Sequence, residues 1–159
     1  MNAVLGRHSN QGRASIRRVY FTGDTAVSQG QPIMKERTWT GTDTEHGATY
    51  AWEGRSNGAK ALATTGDEFF GVAAQAYPAK TGGQWIEIYE VGSVCLALTK
   101  YNITTLGTLL KLDISDGCFA AAGAVGNGAC AAMQTINTSG GAALSLVELL
   151  DGAIIAPVA

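Results

Sequence analysis

The sequence predicts an all-β protein, a compact single β-sandwich or barrel-like domain with an extended N-terminal arm. Three observations point there. Short stretches of alternating apolar and polar residues recur along the chain, separated by Gly, Pro, Asn and Asp turn signals. Glycine supplies 21 of 159 residues, and charged residues make up only 15%, well below the roughly 25% of an ordinary soluble domain. Finally, one pattern occurs twice. Gly82–Gly92 and Gly140–Gly152 each read as a two-glycine turn, an alternating strand and a closing glycine, and superposing them puts Ile86 on Leu144, Ile88 on Leu146 and Glu90 on Glu148.

Taken in order, residues 1–18 are polar and basic, with Arg7, Arg13, Arg17 and Arg18 and no acid. They show no strand or helix period, so they read as an extended arm in front of a β-rich domain spanning 19–152. Stretched out, such an arm reaches about 60 Å, well beyond its own domain. Val19-Tyr20-Phe21 reads as a strand, Ser28–Pro32 as a turn, and Ile33-Met34 as the return to extended chain. The stretch 36–65 reads as an insertion: polar and aromatic, with Trp39, Tyr50 and Trp52, and with Thr38, Thr40 and Thr42 in strand-like alternation. Within it, Ala59–Thr65 has the composition of a single helical turn.

From Gly66 the punctuation is clearer. Strands are expected at Phe69–Ala74, at Trp85–Val91 with Ile86 and Ile88 on one face, and at Val94–Leu98 with Val94, Leu96 and Leu98 sharing a face. Leu109–Asp113, a Ser115-Asp116-Gly117 turn and Cys118–Ala122 follow. Gly123–Gly128 is a connector, Ala129–Ile136 reads as a strand whose alanines also suit a helix, and Leu144–Leu149 closes the domain. The apolar segment 153–159, with Pro157, is expected to dock on the domain or on a neighbour.

Chemistry-bearing residues are sparse. Net charge is −2, which gives no general affinity for polyanions, so neither nucleic acid nor membrane is an expected partner. Cys95, Cys118 and Cys130 form no CxxC pair and are odd in number, so they read as small buried hydrophobes in a reducing compartment. No apolar signal-peptide core opens the sequence, which points to an intracellular origin. Asp43, Glu45 and His46 are the nearest approach to a metal-ligand set, but their spacing fits no known binding loop and suits a solvated loop. No Gly-x-Ser-x-Gly elbow frames a serine, and Gly123–Gly128 lacks a P-loop lysine. Glu87 and Glu90 fall on opposite faces of one strand. No cofactor, metal or catalytic residue is expected. The candidate contact residues are instead Arg7, Arg13, Arg17 and Arg18 of the arm and Trp39 and Trp52 of the insertion.

The order of the motifs is similar to that of the small capsid cement, or decoration, proteins of tailed bacteriophages. Val27-Ser-Gln-Gly30-Gln-Pro32-Ile33 matches an early turn followed by Gly-x-Pro-Ile/Val, and Asp67-Glu-Phe-Phe70-Gly71-Val72-Ala73 takes the place of Gly-x-Phe-Gly-Val-Ala, sharing its Phe-Gly-Val-Ala. Ile86–Val91, Gly107–Asp113 with Asp116-Gly117, Gly128–Met133 and Leu144–Gly152 complete the series over about two thirds of the chain. The arm and the insertion have no counterpart in that pattern. The resemblance implies a non-enzymatic virion protein, made in the host cytoplasm. It would bind the major capsid protein on the outside of the expanded head, brace it against genome pressure, and form homotrimers.

Overall fold

A computed structural model describes residues 14–36, 42–43, 48–49, 58–63, 68–100, 102–121, 128–137 and 141–150. Among them there are only strands and connections: β1 (Ile16–Phe21), β2 (Pro32–Lys35), β3 (Thr42–Asp43), β4 (Ala48–Thr49), β5 (Gly58–Ala61), β6 (Phe69–Ala73), β7 (Gln84–Glu90), β8 (Val94–Thr99), β9 (Leu109–Asp113), β10 (Cys118–Ala121), β11 (Cys130–Ala132) and β12 (Ala143–Leu149). The all-β, barrel-type architecture expected from the sequence is present, and it is built twice. Strands β1-β5-β2-β6-β7 close into one barrel and β10-β8-β12-β11-β9 into another, while β3 and β4 pair with each other between β2 and β5. Closure matters because it leaves neither barrel an edge strand to template further pairing.

The two barrels have one plan. Numbered within each barrel, the cyclic order is first, third, second, fourth, fifth. In both, the first and third strands run parallel and every other neighbour is antiparallel. Register agrees as well: the ladder from Ile16↔Tyr89 to Phe21↔Gln84 has its counterpart from Val94↔Glu148 to Thr99↔Ala143. So do the connections. The isolated bridge Val27↔Tyr77 answers to Ile103↔Ile136. Gly30 N–H donates to Ala73 O at 2.9 Å as Gly107 N–H donates to Ala132 O at 2.8 Å. Ala74 N–H donates to Glu87 O as Met133 N–H does to Leu146 O, both at 2.9 Å.

This register corrects the sequence alignment of the two units by one residue. Gly71, Val72 and Ala73 pair with Glu90, Tyr89 and Ile88, and Cys130, Ala131 and Ala132 pair with Leu149, Glu148 and Val147. Ile86 therefore corresponds to Ser145, Ile88 to Val147 and Glu90 to Leu149. A one-residue slip turns every side chain to the other face. Ser145, Val147 and Leu149 point inward and are buried, whereas Leu144 and Leu146 face out. Likewise Cys95, Ala97 and Thr99 face the interior of the second barrel, and the face shared by Val94, Leu96 and Leu98 is the outer one.

Five strands enclose little volume, so the interior can hold only a few large side chains. Val19, Phe21, Val27, Ile33, Ala59, Phe70, Ala73, Ile86 and Ile88 fill the first barrel. At its parallel pair, Phe21 stands opposite Ala59; in the second barrel the bulk changes sides, with Thr99 opposite Phe119. Thr99 and Ser145 share a buried hydroxyl–hydroxyl hydrogen bond of 2.8 Å, which satisfies the polar atoms that this exchange brings inside.

The core of the second barrel extends onto the first barrel, whose own interior is a separate cluster. Met34, Phe69 and Val72 of the first barrel belong to the same buried cluster as Leu110, Phe119, Cys130 and Val147 of the second, with Phe69 edge-on to Phe119 at 5.8 Å. A turn completes the joint: Gly30 O accepts from Leu98 N–H at 2.9 Å, which lodges residues 28–31 against β8. Gly30 has φ 77°, and a Cβ there would lie 2.5 Å from Leu144 Cδ2 and 2.8 Å from Leu98 N.

Three expectations change. Ala59–Thr65 is not a helical turn: Gly58–Ala61 is the strand β5, so the insertion lies within residues 36–57. The arm–domain boundary at 18/19 falls inside β1, which starts at Ile16. Ser15 is already anchored, its N–H donating to Ser93 Oγ at 2.9 Å and its hydroxyl to Glu90 Oε2 at 2.9 Å. Of Ala129–Ile136, only Cys130–Ala132 is strand.

The equivalent glycines provide a matched test. Gly107 has φ 78° and open space where a Cβ would sit. Both Gly→Ala changes incur left-handed strain of about 1 kcal/mol, but Gly30→Ala adds overpacking of about 1–3 kcal/mol. Urea unfolding should therefore show Gly30→Ala as the more destabilising by about 2 kcal/mol; equal losses would contradict the docked turn.

Candidate interaction surfaces

Of the contact candidates read from the sequence, Arg7, Arg13, Trp39 and Trp52 lie outside the described residues, as do His8, Glu45 and His46. Arg17 and Arg18 lie in β1 on opposite faces. Arg17 has its guanidinium 5.1 Å from the Phe70 ring centroid and 3.7 Å from Glu90 Oε1, while Lys35, paired with Glu68, approaches the same ring at 5.6 Å. Arg18 lies 5.4 Å from the Trp85 ring, which meets Tyr20 edge-on at 5.4 Å. Both arginines therefore stack on aromatic rings of the first barrel, an arrangement worth about 0.5–1 kcal/mol at exposed sites. Glu90 is tied to Ser15 and Arg17, so it anchors the start of β1 as well as ending β7.

Among the described residues, groups that could do chemistry do not converge. Among the described residues, no group of three His, Cys, Asp or Glu is arranged to hold a metal. A shallow depression of about 370 Å³ lies over the Ile103↔Ile136 bridge, lined by Asn102, Thr104, Thr135 and Asn137 around the two isoleucines. It presents amides and hydroxyls and no ionisable group, so it can hydrogen-bond a ligand but supplies no acid or base. The three cysteines are buried and free, as read from the sequence. Burial pushes the Cys95 thiol up to about 12. Cys118 is pushed up to about 11 by burial first and then by the Asp116 and Asp113 carboxylates. Cys130 is raised further by burial and by Cys95. Thiols held protonated in this way are poor nucleophiles and metal ligands.

The feature that sequence reasoning missed is on the outside of the second barrel. Leu96 and Leu146 stand directly opposite each other on β8 and β12, and Met133, whose N–H donates to Leu146 O, extends the row past β11. Leu96 is 41% exposed and Met133 42% exposed. Leu144, opposite Leu98, continues the patch to the docked turn at Gly30. The first barrel is an internal control. Its corresponding row is Ala74, Glu87 and Arg18, with the two charged residues directly opposite in register. The same position in one fold is thus charged in one copy and apolar in the other. Alternation could not reveal this, because β8 and β12 carry hydrophobic residues on both faces; the corrected alignment of the units could have.

The pKa shifts set a pH dependence. A thiol whose folded pKa lies above its unfolded value of about 8.5 contributes stability that is intact below that pH and is lost as pH rises towards the folded value. Each ionising thiol removes about 1.4 kcal/mol per pH unit over that window. Denaturant midpoints should fall between about pH 9 and pH 11, and a Cys130→Ala variant, less stable near pH 7, should close its gap to the parent as pH rises. A constant gap would contradict the protonated, buried thiol.

No known family model matches the chain, and no curated protein shows significant sequence similarity to it.

Proposed function

We propose that the chain is a non-enzymatic structural virion protein that binds the major capsid protein on the outer surface of a tailed-phage head and stabilises the expanded shell, acting as a homotrimer. The observation that carries this reading is the ordered series of turn and strand motifs from Val27 to Gly152. Three physical features support it. Closed barrels with no strand edge suit a protein that must be present in many copies without aggregating. Barrels packed together through Met34, Phe69 and Phe119 suit a stiff unit able to carry load between capsid subunits. The acid-free residues 1–13 precede a barrel whose own start is pinned at Ser15, and extended at about 3.3 Å per residue they are long enough to contact a neighbouring surface. Repetition of weak contacts over a lattice then raises occupancy by avidity.

The test is co-sedimentation of purified protein with expanded heads lacking it, together with imaging of the particles. Saturable binding distributed over the head is expected, and label confined to the tail would favour a tail or fibre-base component. Deletion of residues 1–13 stops short of Ser15, so it should leave the melting temperature unchanged while lowering head occupancy at least tenfold. Unchanged occupancy would remove the arm from the contact.

A further inference from the structure

We infer that the outer face of β8 and β12 is a docking surface for the chain's own segment 153–159, which lies outside the described residues. The face is the apolar row Met133, Leu146 and Leu96 with Leu144 beside it. Exposed rows of this kind mark binding surfaces when they are contiguous.

The first barrel shows what the fold does without such an occupant. There the chain leaves the fifth strand at Glu90, turns through Gly92 and enters β8 directly, and the outer row is Ala74, Glu87 and Arg18. In the second barrel the chain leaves the fifth strand at Leu149 and continues into Asp151-Gly152 followed by Ala-Ile-Ile-Ala-Pro-Val-Ala, without a charge. The apolar row and the apolar segment are thus found together in one copy of the fold, and both are missing from the other.

Geometry allows the match. Leu150 N–H donates to Ala129 O, which fixes where the segment departs, beside the end of β12. Asp-Gly is a dipeptide suited to reversing the chain. From there seven extended residues reach about 23 Å, the length of a seven-residue strand such as β12. Folding back, the segment passes over Leu146 and reaches Leu144. Glu148, paired with Val94 at the end of the ladder, marks the charged limit of the apolar row. Because the segment is tethered at the edge of its site, its effective concentration there is of millimolar order, which favours it over a second copy at ordinary protein concentrations. The inference concerns the isolated chain and stands whether or not capsid binding is found.

A Leu146→Cys/Ile155→Cys variant tests it, since the three native thiols are buried. Mild oxidation at micromolar protein should give predominantly an intramolecular 146–155 disulfide in a monomeric species. A Glu87→Cys/Ile155→Cys control on the first barrel should give none. Covalent dimers would assign the face to a second copy, and no linkage at all would leave it to a different protein; either result overturns the proposal. Independently, removing residues 153–159 should raise the fluorescence of a hydrophobic dye at least threefold. Adding Leu96→Arg and Leu146→Glu, the residues of the first barrel, should return it to the parent level. An unchanged signal on truncation would also overturn the proposal.

Discussion

Closure of a five-stranded barrel is the constraint from which most of this molecule follows. A ring that small admits one aromatic at its parallel pair, so Phe21 is matched by Ala59 and Phe119 by Thr99. Small inward residues on β8, namely Cys95, Ala97 and Thr99, leave the strand's large side chains on its outer face. On β8 the large side chains therefore face out, and β12 is apolar on both faces.

The first barrel keeps its own buried cluster around Val19, Phe21 and Ile86, and a second cluster running from Met34 and Phe69 to Phe119 and Val147 extends the core of the second barrel across the join. Residues 28–31 add a directional link, with Gly30 O bonded to the Leu98 N–H. Gly107 repeats the conformation of Gly30 without a neighbour. The left-handed turn thus belongs to the fold, and its docking belongs to the join between copies.

Much of this was legible in the sequence, and the misses have identifiable causes. The strands at Val19–Phe21, Phe69–Ala73, Gln84–Glu90 and Leu109–Asp113 announced themselves because alternation and turn glycines agreed there. The repeat was visible, but its register was not: β12 is apolar at Leu144 and Leu146 as well as at Val147 and Leu149, so hydrophobicity alone fits either face. β5 was misread because the stretch Ala59–Thr65 opens with Ala-Lys-Ala-Leu-Ala, the composition of a helical turn, and only pairing with β1 and β2 makes Gly58–Ala61 a strand. Arg17 and Arg18 were grouped with a free arm because charge was weighed without pairing. The Val19 ladder in fact continues back to Ile16.

The insertion carries a different lesson. In the first barrel, residues 36–57 separate the second strand from the third. In the second barrel the same junction is the tight turn 114–117, closed by Gly117 N–H donating to Asp113 O at 2.9 Å and by the Asp113 carboxylate accepting from Ser115 N–H at 3.0 Å. One scaffold thus holds a long and a short version of a single loop without altering the strands on either side. The β9–β10 turn is accordingly a natural place to graft a foreign peptide, because its twin already carries one.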